Sequence, residues 1–547
     1  MKSRVALLIL ILAGGVMVAQ DHPSQGRTKP VALLGGLGDL HHPVSAGNPE
    51  AQKFFDQGLR LIYAFNHDEA ARSFEHAAVL DPKLAMAYWG IAEAVGPNYN
   101  DPASDDRFMK AHEAVQKAVE LSANASPSEQ AYIQAMAKRF PAAGEDRHKA
   151  AEDYHEAMRD VARKFPDDLD AATLFAESGM DLHPWGLWHT DGTPEAGTEE
   201  VVATLESVLR RDPNHLGAVH YYIHAVEASP NPERALAGAN RLASLAPAAG
   251  HIVHMPAHIY IRTGDYDAAV KTNEQAAQAD RAYIKASGAQ GIYPLMYYSH
   301  NLHFIAIAGA MEGNYKQASE AAKMLADHVG PHVKEVPPLE AFMTVPLAVQ
   351  LRFSRWNDVL NTPQPAADMK VTTIFWHYAR GMALASTGKL TEAQAEYKIV
   401  SDTQAATPAD AIFSMPFNNH TKDILQIAAN VLGAKIAVAN KDYKSAIPML
   451  KEAAEVQDRL NYGEPPDWYF PVREALGATL FMNGDAAGAE QVFRADLERN
   501  PRNPRSLFGL KQALKAQGRD YDAAFVDREF STAWKGGSKQ LRVEDLV

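Results

Sequence analysis

Apolar residues recur three and four positions apart through most of this chain, in alanine-rich stretches long enough for about three helical turns or more. Alternation of the strand type is scarce, and glycine and proline fall mainly between these stretches or at their ends. The pattern predicts helices throughout, joined by short turns. Two places break the rhythm. An apolar run from Val5 to Ala19 follows Lys2 and Arg4, with the length and charge layout of a secretory leader. Residues 20–47 are polar and glycine-rich and read as an irregular linker.

The helical stretches pair into units of about 34 residues. Small residues recur where paired helices must touch, with glycine in the turn and proline near the unit's end. The unit from Ala51 carries Gly58, Ala70, Phe74, Ala77 and Pro82 in those slots. The segment from Leu216 carries Ala235 and Pro247, and that from Gly250 carries Ala257, Tyr260, Gly264, Ala269 and Ala276. Ser299 opens a unit with Gly313 and Ala318, and further units start near Ile374, Phe470 and Pro504. Weaker ones start near Ala85, Leu169, Glu340 and Ile427. This pattern resembles the tetratricopeptide repeat superfamily, in an exported bacterial type. The resemblance implies an all-α fold: an α-solenoid of roughly ten tetratricopeptide-like helix–turn–helix repeats winding into a superhelix. It says little about function, because such arrays are scaffolds for many activities.

The implied organisation is a signal peptide over 1–19, the linker over 20–47, a repeat block over 48–330, a second block over 331–534 and a tail over 535–547. Proline-rich breaks around Gly330–Pro338 and Asn361–Ala367 support the division. Protein exported to the periplasm is the expectation, with no transmembrane span left after leader cleavage. The chain has no cysteine, which removes disulfides, thiolate catalysis and iron–sulfur ligation. A net charge of −14, with no basic cluster interleaved with aromatics, argues against nucleic acid as a partner.

Histidine changes the picture. In the resemblance, the second, fifth and ninth positions of a unit's first helix line the concave face, since they share one side of that helix. In the units from Leu216, Gly250 and Ser299 those nine slots hold Gly217, His220 and His224; His251, His254 and His258; and His300, His303 and Ile307. Seven are histidine, where 22 histidines in 547 residues would put about 0.4 by composition alone. Imidazoles one helical turn apart can converge on one ion, so this pattern predicts a transition-metal site for Zn, Cu, Fe or Ni, with one or two ions per chain. The inner face is expected to be exposed. Pro256 is expected to kink the central helix or to start a new one.

Carboxylates join the pattern. Glu227 takes the twelfth slot of the first histidine unit, and Glu93 and Glu177 take the ninth slots of upstream units. Glu177 and Glu227 are the candidate catalytic acid/base residues if the metal does chemistry. The step from slot nine to slot twenty lengthens from about 11 residues to 18 between Glu93 and Ala111 and to 24 between Glu177 and Val201. The extra residues carry Tyr99, Asn100, Trp185 and Trp188 and are expected to rim a site. His41 and His42 could fold back from the linker as further ligands. The opposed reading is a scaffold that binds a small molecule, a peptide or a partner protein in its groove, without metal chemistry.

Overall fold

The computed structural model describes residues 29–142, 144–414, 417–537 and 541–547. The expected leader over 1–19 and the start of the linker lie outside the described residues. The chain is all-α, with no strand among the described residues and three isolated bridges in loops. No described helix is long and apolar enough to cross a membrane.

The helices follow one another in pairs. They are α1 (Pro49–Ile62) and α2 (His67–Leu80), α3 (Ala85–Val95) and α4 (Asp105–Leu121), α5 (Pro127–Arg139) and α6 (Arg147–Lys164), α7 (Leu169–Met180) and α8 (Thr198–Arg211), and α9 (Leu216–Glu227) and α10 (Leu236–Leu245). Next, a broken helix made of α11 (Gly250–His254) and α12 (Pro256–Thr263) pairs with α13 (Tyr266–Ser287). A short π-helical stretch, Tyr293–Tyr298, runs into α14 (Ser299–Glu312), which is followed by α15 (Tyr315–Val329). The rest are α16 (Val345–Arg352) and α17 (Trp356–Asn361), α18 (Lys370–Ser386) and α19 (Leu390–Ala406), α20 (Thr421–Ala439) and α21 (Tyr443–Arg459), α22 (Val472–Met482) and α23 (Ala486–Arg499), and α24 (Pro504–Ala516) and α25 (Asp520–Ala533).

The chain forms two compact units. Among the described residues, the first holds everything up to residue 260 together with 271–301, and the second holds 261–270 and 302–547. The small-residue slots explain how repeats stack in each. The Phe74 ring on α2 lies where a Cβ at Gly58 or Gly90 would meet it at 2.6 and 2.4 Å, so glycines of α1 and α3 admit one ring between them. Phe493 on α23 uses Gly477 of α22 and Gly509 of α24 in the same way, at 2.7 and 2.2 Å. A methyl in any of these places would push the neighbouring helix outward. In the second unit, buried Glu474 accepts from Arg352 at 2.5 Å, Arg505 at 2.8 Å and Asn503 at 2.8 Å, tying α16 to α22 and α24.

The first unit folds back on itself. The end of α1 reaches α7 and α9 through Tyr63, and Tyr283 of α13 donates to Glu69 of α2 at 3.2 Å. Residues 29–48 form no helix but are pinned along this unit by side chains. Ser45 is held by Glu129, and His41 Nδ1 donates to Asp56 at 2.8 Å. His42 Nδ1 donates to Asp170 at 2.8 Å. Asp170 also accepts from Tyr63 at 2.6 Å and lies 3.2 Å from His215 Nε2. His215 caps α9 by accepting from the Ala218 N–H through Nδ1, so its proton sits on Nε2, facing Asp170. Burial would raise the Asp170 pKa, but the hydrogen bonds from His215 and His42 hold it far below the carboxylate range. Burial would lower the His42 pKa, but the hydrogen bond and charge of Asp170 win and raise it. His41 and His42 therefore clasp the linker to α1 and α7 and keep company with carboxylates.

A raised histidine pKa stabilises the fold fully below the unfolded value of about 6.5, and the gain is lost as pH climbs through the folded value. His42→Leu should thus lower stability by about 1–3 kcal/mol at pH 6. The gap to wild type should narrow between pH 6 and 9 in thermal melts. A gap that stays constant over that range would mean that the proton on His42 contributes nothing.

Candidate metal centre

The repeat register places the histidines side by side. His220 and His224 lie one turn apart on α9, both with relative exposure of 2% or less. His251 and His254 lie on α11, and His258 lies on α12. Pro256 starts α12, so the helix breaks at Met255 while His251 and His254 stay helical. His300 stands at the start of α14, where Asp280 of α13 accepts from Asn301 at 2.6 Å and from Tyr293 at 2.8 Å. A Cβ on Gly250 would fall 1.9 Å from Asp280, so only glycine lets α11 come this close.

The expected exposed inner face is instead filled. All but His300 of these six are buried, because the turn after α1 and both enlarged loops close over them. Phe65, in the left-handed region at φ 51°, stacks on His224 and His251 at 5.6 and 5.2 Å between ring centres. Tyr99 and Trp185 stack on each other at 5.4 Å and lie 5.2 and 5.8 Å from His224. Trp185 Nε1 donates to Asn100 at 3.1 Å and Trp188 Nε1 to the Ala225 carbonyl at 2.8 Å, which fastens the loops to each other and to α9. Tyr297 covers His251 at 5.1 Å. Gly217, one of the two slots without histidine, lies where a Cβ would meet the Tyr63 ring at 2.5 Å.

The hydrogen bonds orient the rings. His220 Nδ1 faces the Tyr63 carbonyl at 2.7 Å, and a carbonyl can only accept, so Nδ1 carries the proton. Glu227 accepts from His224 Nδ1 at 2.7 Å and from His258 Nδ1. His254 Nδ1 meets the Asn273 amide oxygen at 2.7 Å. Four rings thus spend Nδ1–H on fixed oxygens and keep Nε2 lone pairs. His220 and His251 Nε2 are 3.0 Å apart, His254 and His258 Nε2 are 2.7 Å apart, and His224 Nε2 is buried with no hydrogen-bond partner. Burial pushes His220, His251 and His254 well below the ordinary histidine range, and it outweighs Glu227 to lower His224 as well. His251, whose tautomer is not fixed, can donate from Nε2 to His220, but His254 and His258 both have Nδ1–H committed, so their facing Nε2 lone pairs repel. A cation bonded to both relieves this, and ligands at about 2.0–2.1 Å from one ion stand roughly 3 Å apart. Burial would raise the Glu227 pKa, but the charges of His258 and His224 bring it below the usual carboxylate range.

The remaining predicted residues have other neighbours. His303, one turn beyond His300 on α14, belongs to the second unit and packs against Phe342 and Tyr469 at 5.4 and 5.3 Å. Burial lowers its pKa to about 3. Glu177 is not joined to the histidines. It is buried with Asp181, one turn on, and with Glu93, beside a single guanidinium: Arg139 donates to Glu93 at 2.9 Å and to Asp181 at 2.7 Å. Burial, then the charges of Asp181 and Glu93, push the Glu177 pKa well up. Phe65, Asn273 and Asp280 are site residues that the sequence pattern does not single out. The turn carrying Phe65 gives no signal. Asn273 and Asp280 stand seven apart on the alanine-rich buried face of α13, and polar residues there were a readable clue.

Residues 252–283, spanning His254 and His258, match the family model of the tetratricopeptide repeat. No curated protein matches the chain. Among solved structures, the chain is similar to the human IFIT1 dimer with m7Gppp-AAAA, at 12% identity over 90% of this chain and 91% of that one, with a TM-score of 0.31. Yeast Tom70 is similar at 11% identity over 89% and 92%, with a TM-score of 0.27. The P58(IPK) TPR domain is similar at 11% over 86% and 98%, with a TM-score of 0.22. The match covers one helix pair, α11–α12 with α13.

A carboxyl with a raised folded pKa favours folding by holding its proton, and that contribution fades as pH rises from about 4.5 through the folded value. Glu177→Gln keeps the neutral form at every pH. Relative to wild type it should gain stability between pH 4.5 and pH 8, by about 1.4 kcal/mol for each unit by which the pKa is raised. Chemical denaturation at the two pH values measures this, and a variant that loses ground to wild type on going to pH 8 contradicts it.

Proposed function

We propose that this repeat protein is exported to the periplasm and binds a transition metal, Zn, Cu, Fe or Ni, through His220, His224, His251, His254, His258 and His300. The leader-like start, with Lys2 and Arg4 before Val5–Ala19, supports export. One observation carries the metal reading: four buried rings give Nδ1–H to fixed oxygens, which leaves Nε2 of each as a lone-pair donor within groups of ligand atoms less than 4.8 Å apart. The His224 Nε2 atom, buried without a hydrogen-bond partner, costs about 1–3 kcal/mol unless something binds there. Metal-ligating histidines are held in this way, with the second ring nitrogen donating to a carboxylate or carbonyl.

Glu227 orients His224 and His258 in this reading, since both its oxygens are taken by their Nδ1 protons. His303 has no part in the set. Glu177 is grouped with Asp181, Glu93 and Arg139 and orients none of the ligands by hydrogen bond. The scaffold reading, with a peptide or partner protein on the repeats, requires no metal. Over α9 to α12 the inner face is occupied by Phe65, Tyr99 and Trp185, which favours an ion over a peptide there.

Purified protein offered Zn(II), Cu(II), Ni(II) and Fe(II) in turn should retain at least one of them through desalting. Retention should be lost in the double variant His224→Ala, His258→Ala. The retained ion should stabilise wild type by about 2.7 kcal/mol at a hundredfold excess over its dissociation constant. Protein that holds none of the four, or a variant that holds as much as wild type, sinks the metal reading. N-terminal sequencing that finds Met1 on the mature protein sinks export.

A further inference from the structure

The six histidines group as two sets of three. The ligand nitrogens of His220, His224 and His251 lie within 4.8 Å of one another, and so do those of His254, His258 and His300. Within each set is a close Nε2 pair, His220 with His251 at 3.0 Å and His254 with His258 at 2.7 Å. The short helix α11 shares its two histidines between the sets: His251 meets α9, and His254 meets α12 and α14. Between the sets stands Glu227, with one oxygen on His224 and the other on His258.

We propose that these are two metal sites, each of three imidazoles, coupled through the Glu227 carboxylate. This rests on the metal-binding reading above and goes beyond it in number, membership and coupling. Three neutral imidazoles without a thiolate suit borderline first-row ions, and three protein ligands leave a coordination position open for a small ligand. Two cations in one buried chamber repel each other. Glu227 offsets that repulsion by placing one negative charge on the outer nitrogen of a ligand of each ion. The second ion should therefore bind more weakly than the first, and loss of the Glu227 charge should weaken both.

The test uses full-length protein stripped of metal, then titrated with Zn(II) and, in parallel, Ni(II). Bound metal is counted by elemental analysis for the ion that survives desalting. Wild type should hold two equivalents. The pair His220→Ala, His251→Ala and the pair His254→Ala, His300→Ala should each hold one. Glu227→Gln should bind both ions about 10- to 100-fold more weakly. One equivalent in wild type, lost in both double variants, would overturn the two-site proposal and leave metal binding standing. No retention of either ion by wild type would overturn the proposal for these ions, while uptake of Cu or Fe would still uphold metal binding. Two equivalents kept by either double variant would place an ion elsewhere and overturn the assignment. Should a double variant fold poorly, anomalous diffraction from metal-soaked wild-type crystals decides instead. Two peaks, one in each triad, are expected, and a single shared peak overturns the proposal.

Discussion

A neutral imidazole has one proton to give and one lone pair to offer, and in this protein fixed oxygens claim the proton. The Tyr63 carbonyl, the Asn273 amide and both oxygens of Glu227 take Nδ1–H from His220, His254, His224 and His258. The rings can no longer choose a tautomer, so Nε2 becomes the acceptor side of each. Much of the first unit serves this arrangement. The α1–α2 turn must return to α9 to supply the Tyr63 carbonyl, α13 must carry Asn273, and Glu227 must sit at the end of α9, between two helices.

The packing that permits this closeness comes from absence of side chain. Gly217 leaves room for the Tyr63 ring beside α9, and Gly250 leaves room for Asp280 beside α11. Asp280 in turn fixes Tyr293 and Asn301 around the start of α14, which delivers His300. Elsewhere the same logic stacks ordinary repeats, with Phe74 and Phe493 each lodged against two glycines. The local rule that builds a repeat array also sets the spacing of the chamber.

Burial has two consequences in the first unit. For the histidines it removes protons and leaves lone pairs. For Glu177 and Asp181 it does the reverse: gathered with Glu93 around the single guanidinium of Arg139, these two hold on to their protons. The two clusters lie on the same array of helices, and each contains a candidate carboxylate from an inward slot. Their chemistry diverges because Glu227 meets imidazoles and Glu177 meets other acids.

The helical period, the small-residue slots and the seven histidines were legible in the sequence, because a repeat fixes which residues share a helix face. That logic places His220 beside His224, brings the units from Leu216 and Gly250 together, and marks Glu227 as a neighbour. It also locates the two enlarged loops. Exposure, partners and membership required the tertiary structure. The period cannot show that Phe65, Tyr99 and Trp185 fold over the inner face, since those contacts join residues far apart in the chain. Nor can it tell His300 from His303, which share one face of α14 but pack in different units. Glu177 and Glu227 look alike in the pattern. Only the side chains brought against them decide which one holds a proton and which one orients histidines, since a carboxyl's state depends on the charges and burial around it.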